Sequence, residues 1–219
     1  MTCISYDDLQ SAASQRSLTL LGGFHPDKDE VGLEDCRTLL MVGPDERHFW
    51  PRFLRSDEYL DGRPDPVDRW SIRVVGDLAT IAGARALYPF GDAPYLPFYQ
   101  WALRTQNIHI SPVRLLVSDD HGLFVSFRGA LSLPHRIDLP AAVPSPCILC
   151  ATKPCLAACP VDAMGDHEYS DDACRAHIRS SDGHGCLTQG CAVRRACPAS
   201  LNAGRRPAHS AYHMSEFLR

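Results

Sequence analysis

No stretch of this chain approaches the roughly 18 consecutive apolar residues that a membrane helix needs, so no transmembrane span is expected. The opening residues, MTCISYDDLQ, lack a basic segment followed by an apolar one. A secretory signal is therefore not expected, and the expected location is the cytoplasm. An excess of positive charge is also missing. The net charge is −4, with 14 Lys/Arg against 19 Asp/Glu in residues 1–140 and 8 against 7 in residues 141–219. Neither part offers the basic stripe of a nucleic-acid binder. There is no low-complexity tract and no repeat of solenoid length, which excludes a stacked-repeat architecture. Cysteine is scarce in the first 146 residues, where Cys3 and Cys36 stand alone. Both read as small buried hydrophobes or exposed bystanders.

What is present first is an ordinary globular core, at 45% hydrophobic residues. YDDLQSAASQRS predicts an opening helix. SLTLLGGF (17–24) and CRTLLMVG (36–43) are short apolar runs ending in or near glycine, and predict strands. DERHFWPRFLRS is amphipathic but interrupted by Pro51. A longer helix follows, with Asp65 as its cap, Pro66 in its first turn, and Val67, Trp70, Val74, Leu78 and Ile81 on one face. LPFYQWALRTQ predicts another helix. VRLLVSDDHGLFVSFRGALSLP predicts a hairpin turning at Asp119-Asp120-His121-Gly122, where the glycine can take a positive φ. The fold class expected is α+β, with helices against a largely antiparallel sheet. LPAAVPSP, proline-rich and uncharged, marks a linker at 141–146 between a domain at 1–140 and a small module at 147–200, with a tail at 201–219.

The module holds the other eight cysteines, at 147, 150, 155, 159, 174, 186, 191 and 197. A segment this short and cysteine-dense needs a covalent or inorganic staple. Three readings compete. Disulfides need an oxidising compartment. Zinc takes two separated pairs of close ligands, and only Cys147-x2-Cys150 has that form. The third is a pair of iron–sulfur clusters. The two-cluster ferredoxin run is C-x2-C-x2-C-x3-C-P, whose fourth cysteine serves the other cluster. Here Cys147-x2-Cys150-x4-Cys155-x3-Cys159-Pro160 departs from it by two residues in the middle gap, and Cys197-Pro198 supplies a second Cys-Pro. The spacing favours two 4Fe–4S clusters. Pseudo-symmetry groups Cys147, Cys150, Cys155 and Cys197 as one metal-ligand set, and Cys159, Cys174, Cys186 and Cys191 as the other.

CILCATKPCLAACPVDA, the lone Cys174 in DDACRAHIRSS, and CLTQGCAVRRACP together resemble the cluster module of epoxyqueuosine reductases. That family and its relatives join a two-cluster ferredoxin-like module to a cobalamin-binding domain. DPVDRWSIRV, IAGARALYPFG and ISPVRLLVSDDHGLFVSFRGALSLP are similar to segments of CblC-type cobalamin-processing proteins. Tyr88 matches one of that family's tyrosines. Pro89 stands where the family has glutamine, and Ser118, Asp119 and Asp120 stand where it has His-Pro-Arg. The resemblances imply a nitroreductase-like (CblC-like) domain followed by a small two-cluster ferredoxin-like module. They imply an iron–sulfur electron-transfer protein or reductase component that passes single electrons to a corrinoid such as cobalamin. A plain ferredoxin-type carrier and a flavin (FMN) reductase are the alternatives.

The candidate cofactor-binding residues are Tyr88, Phe98, Trp101, His121 and Arg128. Trp70 and Tyr99 can also line a flat pocket, though helical aromatics more often form core. His209 and His213 share a helix face as a pair that lacks a third ligand. Arg194-Arg195 and Arg205-Arg206 form small basic patches suited either to solvent or to a redox partner protein.

Overall fold

The computed structural model describes residues 4–27, 30, 32–164 and 168–219. Cys3 lies outside the described residues. The chain divides into two units. One takes the chain up to Ile108 and again from Ser126 to Val143; the other takes His109–Val125 and Pro144–Arg219. In chain order the first unit runs α1 (Tyr6–Ser14), β1 (Leu18–Phe24), β2 (Thr38–Pro44), α2 (Phe49–Phe53), α3 (Asp57–Leu60), α4 (Pro66–Ala82), β3 (Arg85–Leu87) and α5 (Phe98–Arg104). The chain then forms β4 (His109–Ile110) and β5 (Leu116–Val117) in the second unit, and returns as β6 (Gly129–Leu133). The second unit is completed by α6 (Asp171–Arg179), α7 (His184–Gln189), α8 (Ala192–Ala196) and α9 (Pro207–Leu218). No helix among the described residues is long and apolar enough to cross a membrane.

The fold is mixed α+β with small antiparallel sheets. The first unit is built on a four-stranded sheet in the order β1-β2-β6-β3, with every neighbouring pair antiparallel. Thr38 pairs with Leu133 and Val42 with Gly129 along β2 and β6. These two central strands are buried at every residue. That is why TLLMV and GALSL read as unbroken runs of small and apolar residues rather than as an alternation.

α4 presents to the core a stripe advancing by threes and fours: Val67, Trp70, Ser71, Val74, Val75, Leu78, Ala79 and Ala82. Ile81 falls outside that stripe and is 48% exposed, a correction to the expected face. Asp65 does not cap the helix with its side chain. Its backbone is left-handed (φ 52) rather than extended, and the first turn is closed instead by its carbonyl accepting from Arg69 N–H. Pro51 does not interrupt α2, because it sits in the first turn where its missing N–H has no helical acceptor. α1 carries a capping box, with Asp8 N–H donating to Ser5 Oγ and Ser5 N–H donating to Asp8.

The expected hairpin does not form as one. β5 pairs with β4, and only a bridge between Ser118 and Gly122 continues the turn. β6 lies between β2 and β3 in the sheet of the first unit. Both edges of β6 are taken by those partners, so no edge is left for the strand before the turn. Residues 109–125 thus group with the cysteine-rich segment rather than with a domain running to 140.

Trp70 meets the Phe49 ring edge-on at 5.0 Å between centroids and also packs on Phe53. Replacing it with alanine should lower unfolding free energy by about 3–5 kcal/mol, the usual cost for a buried aromatic. Ile81→Ala should change it by less than about 0.5 kcal/mol. Denaturant unfolding followed by circular dichroism measures both, and a larger loss at Ile81 would contradict the packing described.

Candidate functional site

The second unit has a small core of Val113, Val117, Leu123, Cys155, Val193 and Cys197. Two of these six are cysteines, so the cysteine-rich part and its hydrophobic support are the same structure. The turn at 118–122 is fastened to it. Gly122 has φ 52, and a Cβ there would lie 2.2 Å from the backbone nitrogen of Ser200, so only glycine fits. Leu123 N–H donates to Ser200 Oγ at 2.9 Å, the Arg194 guanidinium donates to the Leu123 carbonyl, and Arg205 lies over the Phe124 ring.

One cavity in this unit, of about 430 Å³, is lined by Cys147, Cys150, Cys155 and Cys197. Ser111, Asp119, Lys153 and Asn202 are also in its wall. Cys147 enters it from a 3-10 turn, Pro146–Ile148, with its N–H donating to Ser145 Oγ at 3.3 Å. Cys155 lies in the turn Pro154–Ala157, which Lys153 enters with left-handed backbone. Cys155 and Cys197 are buried; Cys147 and Cys150 are partly exposed.

A second, tighter cavity has about 20 Å³ of open volume, room for little more than a water molecule. It is lined by Cys159, Cys174, Cys186 and Cys191, together with Tyr169, His177 and Met214. Ser170 caps α6, with Asp171 and Asp172 in the first turn, and this helix carries Cys174 and His177 to the cavity. Gly190 ends α7 at φ 88, and a Cβ there would lie 2.5 Å from that of Ser210. The chain can turn between Cys186 and Cys191 only through a residue without a side chain.

Short helical spacers separate the two sets. Cys155 and Cys159 flank the end of one 3-10 turn, and Cys191 and Cys197 flank α8. In each case one cysteine lines the first cavity and the other the second. Cys159 therefore lies with three cysteines that follow it by 15 or more positions, not with its sequence neighbours.

The electrostatics follow the same division. Burial pushes up the Cys147 and Cys155 thiols, and charge on Cys197 and Cys150 raises both further. Burial also raises Cys174, against a hydrogen bond from the Tyr169 hydroxyl; Cys191, Cys159 and Cys186 add to the rise. Tyr169 is itself held above its ordinary range by burial and by that bond. Ala163 N–H donates to Cys159 Sγ at 3.2 Å. Such an arrangement favours neutral thiols on their own and thiolates only beside positive charge. Among the described residues, no three His, Cys, Asp or Glu side chains converge so as to hold a metal ion as they stand. The four sulfurs of each set stand around a cavity.

The other expected residues fall elsewhere. Trp70 belongs to the aromatic core described above. Phe98 and Trp101, 5% and 1% exposed, pack on each other, and Phe98 also packs on Phe127. They are core residues and do not present a bare face to a flat ring. Tyr99 is exposed. Tyr88, half-buried, donates its hydroxyl to the Ile72 carbonyl at 3.0 Å. Arg128 is half-buried, its backbone N–H donating to the Val42 carbonyl, and its charge opposes the rise that burial imposes on Asp68. His121 belongs to the second unit, with its N–H donating to Ser118 Oγ. His209 and His213 face each other, Nε2 to Nε2, at 3.1 Å. Arg195 donates to the Gly190 carbonyl and Arg205 to Ser210 Oγ, so both brace the unit. Cys36 is buried core. Sequence reasoning missed Tyr169 and Ser111. A tyrosine five positions before a lone cysteine is a signal for the first; nothing local marks the second.

No family model, curated protein or solved structure matches this chain.

Mild oxidation of the metal-free protein should join thiols within each set. Cys159 should be found by peptide mass spectrometry bonded to Cys174, Cys186 or Cys191, since disulfides form only between closely approaching Cβ atoms. Cys159 trapped mainly with Cys147, Cys150 or Cys155 would contradict the grouping.

Proposed function

We propose that the second unit is a two-cluster iron–sulfur module, and that the protein is an electron-transfer protein or the iron–sulfur component of a reductase. Cys147, Cys150, Cys155 and Cys197 would hold one 4Fe–4S cluster; Cys159, Cys174, Cys186 and Cys191 would hold the other. The observation that carries this reading is the interleaved division of eight cysteines, four and four, between two cavities of one small unit. In the first cavity, donors placed around a space of about 430 Å³ suit a polynuclear cluster, whose thiolates bind different metal atoms, better than a single zinc ion, whose ligands must meet at one point; the second cavity, with about 20 Å³ open, would have to widen to take a cluster. When bound, the clusters supply single-electron chemistry.

The chain's own part is to hold, shield and tune. Burial of Cys155 and Cys197 keeps water from one side of the first cavity. The Ala163 N–H and the Tyr169 hydroxyl offset negative charge on Cys159 and Cys174. Both effects act on reduction potential, through solvent exposure and through hydrogen bonds to sulfur.

For the first unit the proposal is an acceptor-binding role, with a corrinoid ahead of FMN. Its support is the resemblance of residues 65–74, 81–91 and 126–134, the last being the part of the similar segment 110–134 that belongs to this unit. Tyr88 and Arg128 are the half-buried residues retained for it. Phe98 and Trp101 are withdrawn to the core, and His121 lies in the other unit.

Protein purified without oxygen should carry about eight irons and about eight acid-labile sulfides, four of each per cluster. Stoichiometric zinc without sulfide would overturn the reading. Absorbance near about 400 nm alone would fit a plain carrier, while added corrinoid or flavin bands, or a spectral change on titration with micromolar cobalamin, would assign the acceptor.

A further inference from the structure

Ser111 is 4% exposed, and its Oγ has no hydrogen-bond partner. It stands in the wall of the cavity lined by Cys147, Cys150, Cys155 and Cys197. Its backbone is fully engaged. The N–H donates to the Leu115 carbonyl at 2.9 Å, and the carbonyl accepts from Arg114 N–H at 2.9 Å. The side chain is thus carried on a pinned turn. A buried hydroxyl left unsatisfied costs about 1–3 kcal/mol, so one retained beside a cavity calls for a partner that arrives with the cavity's occupant. Four of the residues around it offer sulfur. The second cavity already has its donors in Tyr169 and Ala163.

We propose that Ser111 is a tuning residue, whose hydroxyl donates a hydrogen bond to a sulfur of the group held by Cys147, Cys150, Cys155 and Cys197. The inference rests on the cluster reading above. A donor on sulfur withdraws electron density, favours the more negative, reduced state and raises the reduction potential. Ser111 transfers no electron; it acts through the sulfur it touches.

The test compares wild type, Ser111→Ala and Ser111→Thr, each purified without oxygen, by redox titration followed with electron paramagnetic resonance. In Ser111→Ala the potential of one cluster should fall while the other stays in place, and Ser111→Thr, which keeps a hydroxyl, should restore the first. Thermal unfolding of the metal-free proteins supplies a second readout. Because the hydroxyl has no protein partner, metal-free Ser111→Ala should be at least as stable as wild type. Two fully loaded clusters with unchanged potentials in Ser111→Ala would overturn the proposal and leave the cluster reading standing. So would a clear loss of stability in the metal-free variant, since the hydroxyl would then serve the protein itself. Wild type without iron and sulfide would bring down the cluster reading and this inference with it.

Discussion

Several sulfur atoms facing one small cavity repel each other as thiolates and lose their hydration as burial deepens. The second unit contains two such sets, and its architecture depends on making them tolerable. Burial raises the pKa of Cys147, Cys155 and Cys174, which favours the neutral thiol at those three positions. As ligands of positive charge they would be ionised and would tie distant parts of the chain together. Helices α7 and α8 have only six and five residues, and the apolar core is small. A unit of this kind has little else with which to offset the entropy of ordering its backbone.

Interleaving follows from the same constraint. Neither set comes from one contiguous segment, because residues 155 and 159, and again 191 and 197, divide between the cavities. Whatever fills one cavity therefore bears on the chain that forms the other. The segment 109–125 adds the non-cysteine wall. It contributes Val113, Val117 and Leu123 to the core and Ser111 and Asp119 to the first cavity. Its attachment pairs backbone groups of Leu123 with the Ser200 hydroxyl and the Arg194 guanidinium, and Gly122 has no room for a side chain, so the contact depends on the identity of all three residues.

The first unit obeys more ordinary rules. Two fully buried strands form the middle of its sheet, and α4 packs Trp70 and its neighbours against the core. Phe49, Phe53, Trp70, Phe98 and Trp101 are all used in packing. Trp101 Nε1, buried without a hydrogen-bond partner, shows that this core is not apolar throughout.

Local pattern was enough for the α+β class, for the strands in LTLLGGF and TLLMVG, for α4 and its start at Pro66, and for the contrast between a cysteine-poor part and the dense run from Cys147 to Cys197. Periodicity and cysteine spacing are short-range properties, and the chemistry they describe is carried by neighbours. Strand pairing was beyond them. The run from Val113 to Pro134 has the form of a hairpin, yet β6 found partners at Thr38–Val42 and Arg85–Leu87, because an inner strand needs two edges and the turn supplies only one. Exposure of Ile81 and burial of Phe98 and Trp101 likewise depended on what packed against each helix. The placement of Ser111 in one cavity wall with Cys147, and of Tyr169 against Cys174, required long chain reversals or a specific side-chain direction. Composition and spacing thus determined which residues could form a site; only the tertiary structure decided which of them share a cavity, since that depends on contacts between residues far apart in the chain.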